Sequence, residues 1–184
     1  MKLYGVVLSI VLSLQSCLSI KAPSLHSGYN KLSFSQKEQI VFVPAGQMIP
    51  DTNKHIIYAV TAQSVLNSIQ HIDSTVVYNW SPRCRGENCV SLISAQQACN
   101  KKGYNLFVVA AYYDMEEFNR QKTLLTNPLL TVHHEYYETD FYRKNIRLFN
   151  DDLLRGLVLP DSVKYARYYL FHKNKFVAAM NNIQ

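Results

Sequence analysis

Strand-like and helix-like segments alternate along most of this chain, and this alternation limits the fold more than any other feature. Helical spacing of apolar residues predicts helices over residues 62–69, 88–102 and 114–125. Apolar runs rich in β-branched and aromatic residues are typical of strands and occupy residues 40–43, 55–60, 75–80, 106–113 and 168–180. The alternation predicts an α/β fold, with a sheet whose central strands are parallel and helices on both of its faces.

Short polar signals mark the ends of several elements. Thr61 is suited to cap the first helix, and Gly103 is expected to stop the second. Asp114 and Glu117 form the pattern of a capping box at the start of the third helix. The polar turn 172–175 between two apolar runs predicts a C-terminal β-hairpin.

Residues 129–162 give weaker signals than the rest of the chain. The apolar run 130–132 is compatible with a short strand. A helix is expected within residues 149–159, with Asn150 or Asp151 as its cap.

The N-terminus has the pattern of an export signal. Lys2 precedes an apolar run over residues 3–14, which is too short to cross a bilayer because a spanning helix needs about 20 apolar residues. The run ends in Leu14-Gln15-Ser16-Cys17, which resembles the lipobox of bacterial lipoproteins. That resemblance implies that residues 1–16 are removed and that Cys17 is acylated. The alternative is a plain secretory signal with an incidental cysteine.

The lipobox divides the chain into three predicted parts. Residues 1–16 are the signal peptide, the Ser-rich residues 17–36 are a tether, and residues 37–184 are one domain. By resemblance to sorted lipoproteins, Leu18 after the acylated cysteine indicates the outer membrane, with the domain facing the periplasm. The predicted partner is therefore the membrane, reached through the lipid anchor.

Composition and charge agree with a folded exported domain. The chain is 48% hydrophobic and 17% charged, which is ordinary for globular proteins and argues against disorder. Its formal net charge is +6, but the basic residues are dispersed and form no arginine-rich arm or basic stripe. We therefore expect no nucleic-acid partner.

One segment resembles the active-site passage of thioredoxin-like proteins. Val77-Tyr78-Asn79-Trp80-Ser81-Pro82-Arg83-Cys84 has the family's aromatic strand ending in Trp, followed by a small residue, two more positions and the nucleophilic cysteine. The resemblance implies a three-layer sandwich with a mixed central sheet, helices on both faces and a C-terminal β-hairpin. It also implies thiol–disulfide exchange through Cys84 and Cys89, with cysteine-containing envelope proteins as partners and no cofactor.

Two features depart from the family pattern. The family's cysteines are two residues apart, whereas four residues separate Cys84 from Cys89, which would place them about 140° apart on a regular helix. A disulfide therefore needs a loop over residues 85–87, which Gly86 makes feasible. The position of the family's cis-proline, before the hairpin, is occupied here by Ala166 or Arg167, and the nearest proline is Pro160. A substrate disulfide would therefore lack the contact with that proline.

The two cysteines consequently have two readings. In the catalytic reading, Cys84 lies at the start of a helix, and that position, together with Arg83 and Arg85, favours its thiolate. Glu87 opposes the thiolate, and Cys89 is the resolving thiol. In the other, the pair is a structural disulfide or the remnant of an ancestral site, and the protein is a non-catalytic binding or assembly module.

The other candidate side chains give no complete site. Cys99 lies about 15 Å along the helix from Cys89 and is expected to be a buried free thiol. Adjacent His133 and His134 would point to opposite faces of a strand, and with Glu135 and Asp140 they complete no metal site. The tyrosines are compatible with a recognition surface or with half-buried strand edges, and include Tyr136, Tyr137 and Tyr142.

Overall fold

Seven strands form one mixed sheet in the part of the chain that the structure describes. The computed structural model describes residues 25–50, 55–86 and 89–183. The order across the sheet is β1-β2-β5-β4-β3-β6-β7; the first five strands are parallel, and β6 and β7 are antiparallel to their neighbours. The strands are β1 (Ile40–Phe42), β2 (Ile57–Val60), β3 (Thr75–Trp80), β4 (Asn105–Ala110), β5 (Leu130–Val132), β6 (Tyr168–His172) and β7 (Lys175–Met180).

Helices cover both faces of this sheet. They are α1 (Phe34–Lys37), α2 (Ala62–Ser68), α3 (Leu92–Lys101), α4 (Met115–Gln121), α5 (Tyr142–Leu153) and α6 (Asp161–Lys164). Leu66 of α2 and Phe149 of α5 pack in the core on one face, with Val77 of β3. Leu92 of α3 and Phe118 of α4 pack in the core on the other. The predicted α/β fold, with a mixed sheet, two helical layers and a C-terminal hairpin, is confirmed.

Local signals placed several helix ends correctly. The Thr61 and Asp114 side chains cap α2 and α4 by accepting from the third backbone N–H of each helix. Gly103 follows α3 with a φ of 69°, a left-handed conformation that glycine adopts without strain. These residues act through neighbours in the sequence, which is why the pattern alone located them.

Two predicted helices begin elsewhere. The helix expected over 88–102 begins at Leu92, because Ser91 is its cap and accepts from the Ser94 N–H at 3.1 Å. The prediction of a helix within 149–159, capped by Asn150 or Asp151, is wrong. Both residues lie inside α5, which begins eight residues before Asn150.

The predicted strand over Leu130–Val132 is confirmed, and its position in the sheet is unexpected. It lies between β2 and β4, with Thr131 in register with Ala59 on one side and Ala110 on the other. The sequence predicted this strand but gave no indication of its neighbours in the sheet. Because β5 separates β2 from β4, its carboxyl end adds residues to the same edge of the sheet as β3 and β4.

Residues 25–36 belong to the predicted tether, and they pack against the domain. Ser27 is buried, and its carbonyl accepts from the Tyr113 N–H at 2.7 Å. Gly28 has a φ of 86°, and a Cβ there would come within 2.7 Å of the Tyr113 carbonyl oxygen. Only glycine therefore allows this close approach. The signal peptide and Cys17 lie outside the described residues.

Candidate functional site

A disulfide joins Cys84 to Cys89 at the carboxyl end of β3. The two Cα atoms are 5.7 Å apart. Two turns follow the strand. The Cys84 N–H donates to the Ser81 carbonyl at 3.0 Å in the first turn, and the Cys89 N–H donates to the Gly86 carbonyl at 3.0 Å in the second. Gly86 has a φ of 128°. The expected loop before the helix thus permits the bond that a helical spacing would forbid.

The position of α3 changes the expected electrostatics of this disulfide. The catalytic reading placed Cys84 at the start of a helix, where the dipole favours a thiolate. The cap of α3 is Ser91, so both cysteines precede the helix and Cys84 lies seven residues before the cap. The dipole acts within the first turn. The expected contribution of the helix to the Cys84 thiolate is therefore wrong.

The two sulfur-bearing residues differ in exposure. Cys84 is exposed and Cys89 is half-buried. Thiol–disulfide exchange requires an attacking or attacked sulfur that a partner can reach, and the other thiol need only reach its neighbour. The exposed member of the pair is thus the residue that sequence reasoning chose as the nucleophile.

Arg83 connects the cysteine loop to the segment that follows β4. Its side chain forms an ion pair with the buried Asp114 and lies 3.8 Å from the Glu116 carboxylate. Its backbone N–H donates to the Tyr112 hydroxyl at 2.9 Å. A hydrogen bond from the guanidinium to Asp114, and the charge of that carboxylate, raise the pKa of Arg83. Of the two arginines expected to favour a Cys84 thiolate, Arg83 is therefore paired with carboxylates.

Tyr112 and Asp114 are site residues that sequence reasoning missed. Asp114 was interpreted only as a helix cap, and it both caps α4 and binds Arg83. The signal that could have found them is their place directly after β4, because neighbouring parallel strands bring their carboxyl ends together at one edge.

The strand expected to carry the cis-proline lies beside β3. The Arg167 carbonyl accepts from the Asn79 N–H at 2.8 Å, and Ala166 is buried. Every peptide bond in the described ranges is trans. Arg167 therefore lies beside Asn79 of β3, the strand that leads to Cys84.

Cys99 is a buried free thiol, as expected. Burial raises the pKa of Cys99 to about 11, against a smaller opposite effect of Lys102. The thiol is therefore neutral near pH 7 and shielded from solvent. It takes no part in the site at the sheet edge.

His133 and His134 do not point to opposite faces, because both follow the end of β5. Their ring centroids lie 4.8 and 5.8 Å from that of Phe42, and the His134 Nδ1 is 3.0 Å from the Tyr113 hydroxyl. Burial lowers the pKa of both histidines. Within the described residues no three His, Cys, Asp or Glu side chains are grouped to hold a metal.

Asp140 has other partners. Its carboxylate is 2.9 Å from the His26 Nδ1 and accepts a hydrogen bond from the Ser27 hydroxyl. Burial raises the pKa of Asp140, but the hydrogen bonds from Ser27 and His26 outweigh this and lower it. The carboxylate is thus used to hold the N-terminal segment in place.

The tyrosines proposed as a recognition surface differ in burial. Tyr136 is 49% exposed and Tyr142 is half-buried, whereas Tyr137 is 9% exposed. The Tyr137 hydroxyl accepts from the Ala62 N–H at 3.2 Å, and burial raises its pKa. Tyr137 therefore serves the core.

A surface cleft of about 500 Å³ lies apart from the disulfide. Its lining includes Thr61, directly after β2, and Arg155, just beyond α5. Neither cysteine lines it. The cleft and the disulfide are thus separate features.

Comparison of the chain with known protein families, curated proteins and solved structures finds no match. The resemblance to thioredoxin-like proteins therefore depends on the residues of this chain. The site at the sheet edge consists of an exposed disulfide whose loop is held by Arg83, Tyr112 and Asp114.

Proposed function

We propose that this protein is a lipid-anchored, thioredoxin-like envelope protein that exchanges thiols and disulfides through Cys84 and Cys89. The observation that carries the proposal is the exposed Cys84 in a disulfide at the carboxyl end of β3. In open α/β sheets, ligands and reactive groups are found outside the carboxyl ends of the strands. The export signal supports an oxidising compartment, where such a disulfide forms.

The reaction is a two-step exchange. In the reduced protein, the Cys84 thiolate attacks one sulfur of a partner disulfide, forming a mixed disulfide and releasing a partner thiolate that takes up a proton. Cys89, having lost its proton, then attacks the Cys84 sulfur and releases the second partner thiolate. Two electrons pass from the protein to the partner, and Cys84–Cys89 is oxidised. With a reduced partner the same steps run in reverse.

A non-catalytic module is the second candidate, and the Arg83–Asp114 ion pair favours it. The Arg83 guanidinium is paired with carboxylates, and both cysteines precede α3. Both features remove influences that would stabilise a Cys84 thiolate. In this second case the disulfide fixes the shape of a loop, and the loop or its surroundings bind a partner.

The reduction potential of Cys84–Cys89 separates the two candidates. We expect a potential between about −270 and −120 mV, the range of thiol–disulfide oxidoreductases, measured by equilibration with glutathione or dithiothreitol. A Cys89→Ser variant should accumulate mixed disulfides with partners, whereas Cys84→Ser, the matched control, should not. A potential below about −300 mV and no trapped partner would support the structural disulfide.

The lipid anchor has its own test. Mass analysis of the N-terminal peptide should find diacylglycerol and an acyl chain on Cys17, and Cys17→Ala should release the protein from membranes. Unmodified Cys17 would remove the anchor from the proposal and leave the redox chemistry in place. Leu18→Asp should move the anchored protein between membranes if sorting follows the second residue.

A further inference from the structure

We propose that the surface formed by Leu25, Phe141, Tyr142, Arg143 and Lys144, here called the Phe141 surface, lies against an anionic lipid bilayer. The inference rests on the lipid anchor of the proposed function and adds how the domain is oriented on the membrane. The occupant is the headgroup layer of the membrane that holds the anchor.

The Phe141 surface is continuous and partly apolar. Leu25 is 58% exposed and Phe141 53% exposed. A β-bridge pairs His26 with Phe141, their rings stack with centroids 5.3 Å apart, and the Tyr142 N–H donates to the Leu25 carbonyl at 3.2 Å. Large apolar side chains thus lie together in solvent on a fixed backbone.

The start of α5, which lies at this surface, lacks the residues that usually stabilise the beginning of a helix. Phe141 stands at the N-cap and makes no side-chain capping bond, whereas Ser, Thr, Asp or Asn is preferred there. The first turn holds Arg143 and Lys144 and no acidic residue, although cations are unfavourable near the positive end of the helix dipole. Natural sequences break local rules mostly at functional sites.

The predicted acylation site is close to this surface in the sequence. Eight residue steps separate Cys17 from Leu25, and a fully extended chain of that length spans at most about 28 Å. Leu25 is itself part of the Phe141 surface. An acylated Cys17 therefore keeps these side chains within one short segment of the bilayer.

The charges of the Phe141 surface suit anionic lipids. Arg143, Lys144 and Arg147 are exposed on the first half of α5. Glu138 is an exposed carboxylate close by in the sequence, and Asp140 is paired with His26. Near an anionic membrane each basic residue strengthens the attraction by about fivefold. An exposed aromatic residue beside basic ones is the composition of an interfacial membrane contact.

This orientation also brings the disulfide towards the membrane. The Tyr142 ring lies 5.4 Å from that of Tyr112, whose hydroxyl accepts the Arg83 N–H. Arg83 precedes Cys84 in the chain. Two tyrosines thus connect the Phe141 surface to the cysteine loop, so cysteine-containing partners would meet Cys84 near the lipid surface.

Hydrogen–deuterium exchange of the full lipidated chain tests the inference. The protein is placed in detergent, in phosphatidylcholine vesicles and in vesicles that also contain phosphatidylglycerol. We expect several-fold slower exchange over residues 25–31 and 141–144 in the anionic vesicles, because those amides are then shielded by lipid. High salt should reverse the slowing, since the Debye length falls to about 3 Å at 1 M.

A combined variant separates membrane contact from stability. Phe141→Ser, Arg143→Glu and Lys144→Glu together should abolish the slowing, although serine is a better cap and glutamate suits the first turn, so α5 is expected to form at least as well. The control is Lys173→Glu, Lys175→Glu and Val177→Ser on the exposed hairpin, which makes the same change in net charge, also replaces one exposed apolar side chain by serine, and should keep the slowing.

The outcomes distinguish this inference from the proposed function. Equal exchange in anionic vesicles and in detergent, with Cys17 acylated, overturns the Phe141 surface and leaves the anchor and the redox proposal intact. Loss of slowing in the hairpin control also overturns it, because any basic face would then suffice. A chain without acyl groups on Cys17 overturns both the anchor and this inference, whereas the potential of Cys84–Cys89 is measured independently.

Discussion

Asp114 connects the disulfide loop to the neighbouring strand, and its replacement tests that connection. Its side chain is 7% exposed, binds Arg83, and accepts the Glu117 N–H at 3.2 Å as the cap of α4. Asp114→Asn keeps an oxygen able to cap the helix and removes the charge. Asp114→Ala removes both. The two variants therefore separate capping from ion pairing.

The expected losses follow from these two contacts. Removing a helix cap costs about 1 kcal/mol of the free energy of unfolding. The Arg83 side chain is 56% exposed, so solvent screens the ion pair, and such pairs contribute about 0.2–1 kcal/mol. We expect a loss of about 0.5 kcal/mol for Asp114→Asn and about 1.5 kcal/mol for Asp114→Ala.

Urea unfolding followed by fluorescence measures these losses. Trp80 is the single tryptophan and is 5% exposed, so its emission reports the core next to the site. A double-mutant cycle with Arg83→Ala isolates the pairwise energy. Glu116→Gln, at a side chain 74% exposed, is the control and should change little. Equal losses for the Asn and Ala variants, with no coupling to Arg83, would refute the reasoning.

Asp114→Asn should also change the reactivity of Cys84. In the reduced Asp114→Asn protein, the Arg83 charge is no longer neutralised by a buried carboxylate and can favour a thiolate at the adjacent Cys84. We expect faster alkylation of Cys84 by iodoacetamide at pH 7 than in the unaltered protein. An unchanged or slower rate would show that Arg83 does not act on that sulfur.

Three further outcomes follow from burial. Phe118→Ala should lower the free energy of unfolding by about 3–5 kcal/mol in urea titrations, because its ring is fully buried, and a loss below about 1 kcal/mol would contradict the packing. Burial raises the pKa of Cys99 from 9.0 to about 11, so the free energy of unfolding should fall as the pH rises from 9 to 11. Cys99→Ala should remove this fall. Burial lowers the pKa of His134 below 6.5, so stability should fall as the pH drops below 6.5, and the fall should be smaller in His134→Gln.

The elements that sequence reasoning placed correctly are specified by local interactions. Thr61 and Asp114 cap their helices through N–H groups three residues away, and the polar turn at 173–174 joins strands that pair directly. The beginning of α5 was missed for the same reason. Phe141 carries no capping signal, and the basic residues after it argue locally against a helix start.

The arrangement of the site depends on contacts between distant residues. Arg83 and Asp114 are 31 residues apart in the chain, and β5 enters the sheet between strands that precede it. Hydrophobic periodicity indicates that a strand exists, but it carries no information about the neighbours of that strand. The cysteine pair was found because the residues that lead to it are consecutive in the sequence. The residues that hold Arg83 in place, Tyr112 and Asp114, follow a different strand, β4.

The insertion of β5 helps to bring the first described residues to the edge of the sheet that carries the disulfide. Its carboxyl end places His134 against Tyr113, which is adjacent in the chain to Asp114, the partner of Arg83. The Tyr29 ring lies 4.6 Å from that of His134, so the N-terminal segment is held at the same edge. The strand whose neighbours could not be read from the sequence therefore supplies the contact that holds Tyr29 at the edge that carries the cysteines.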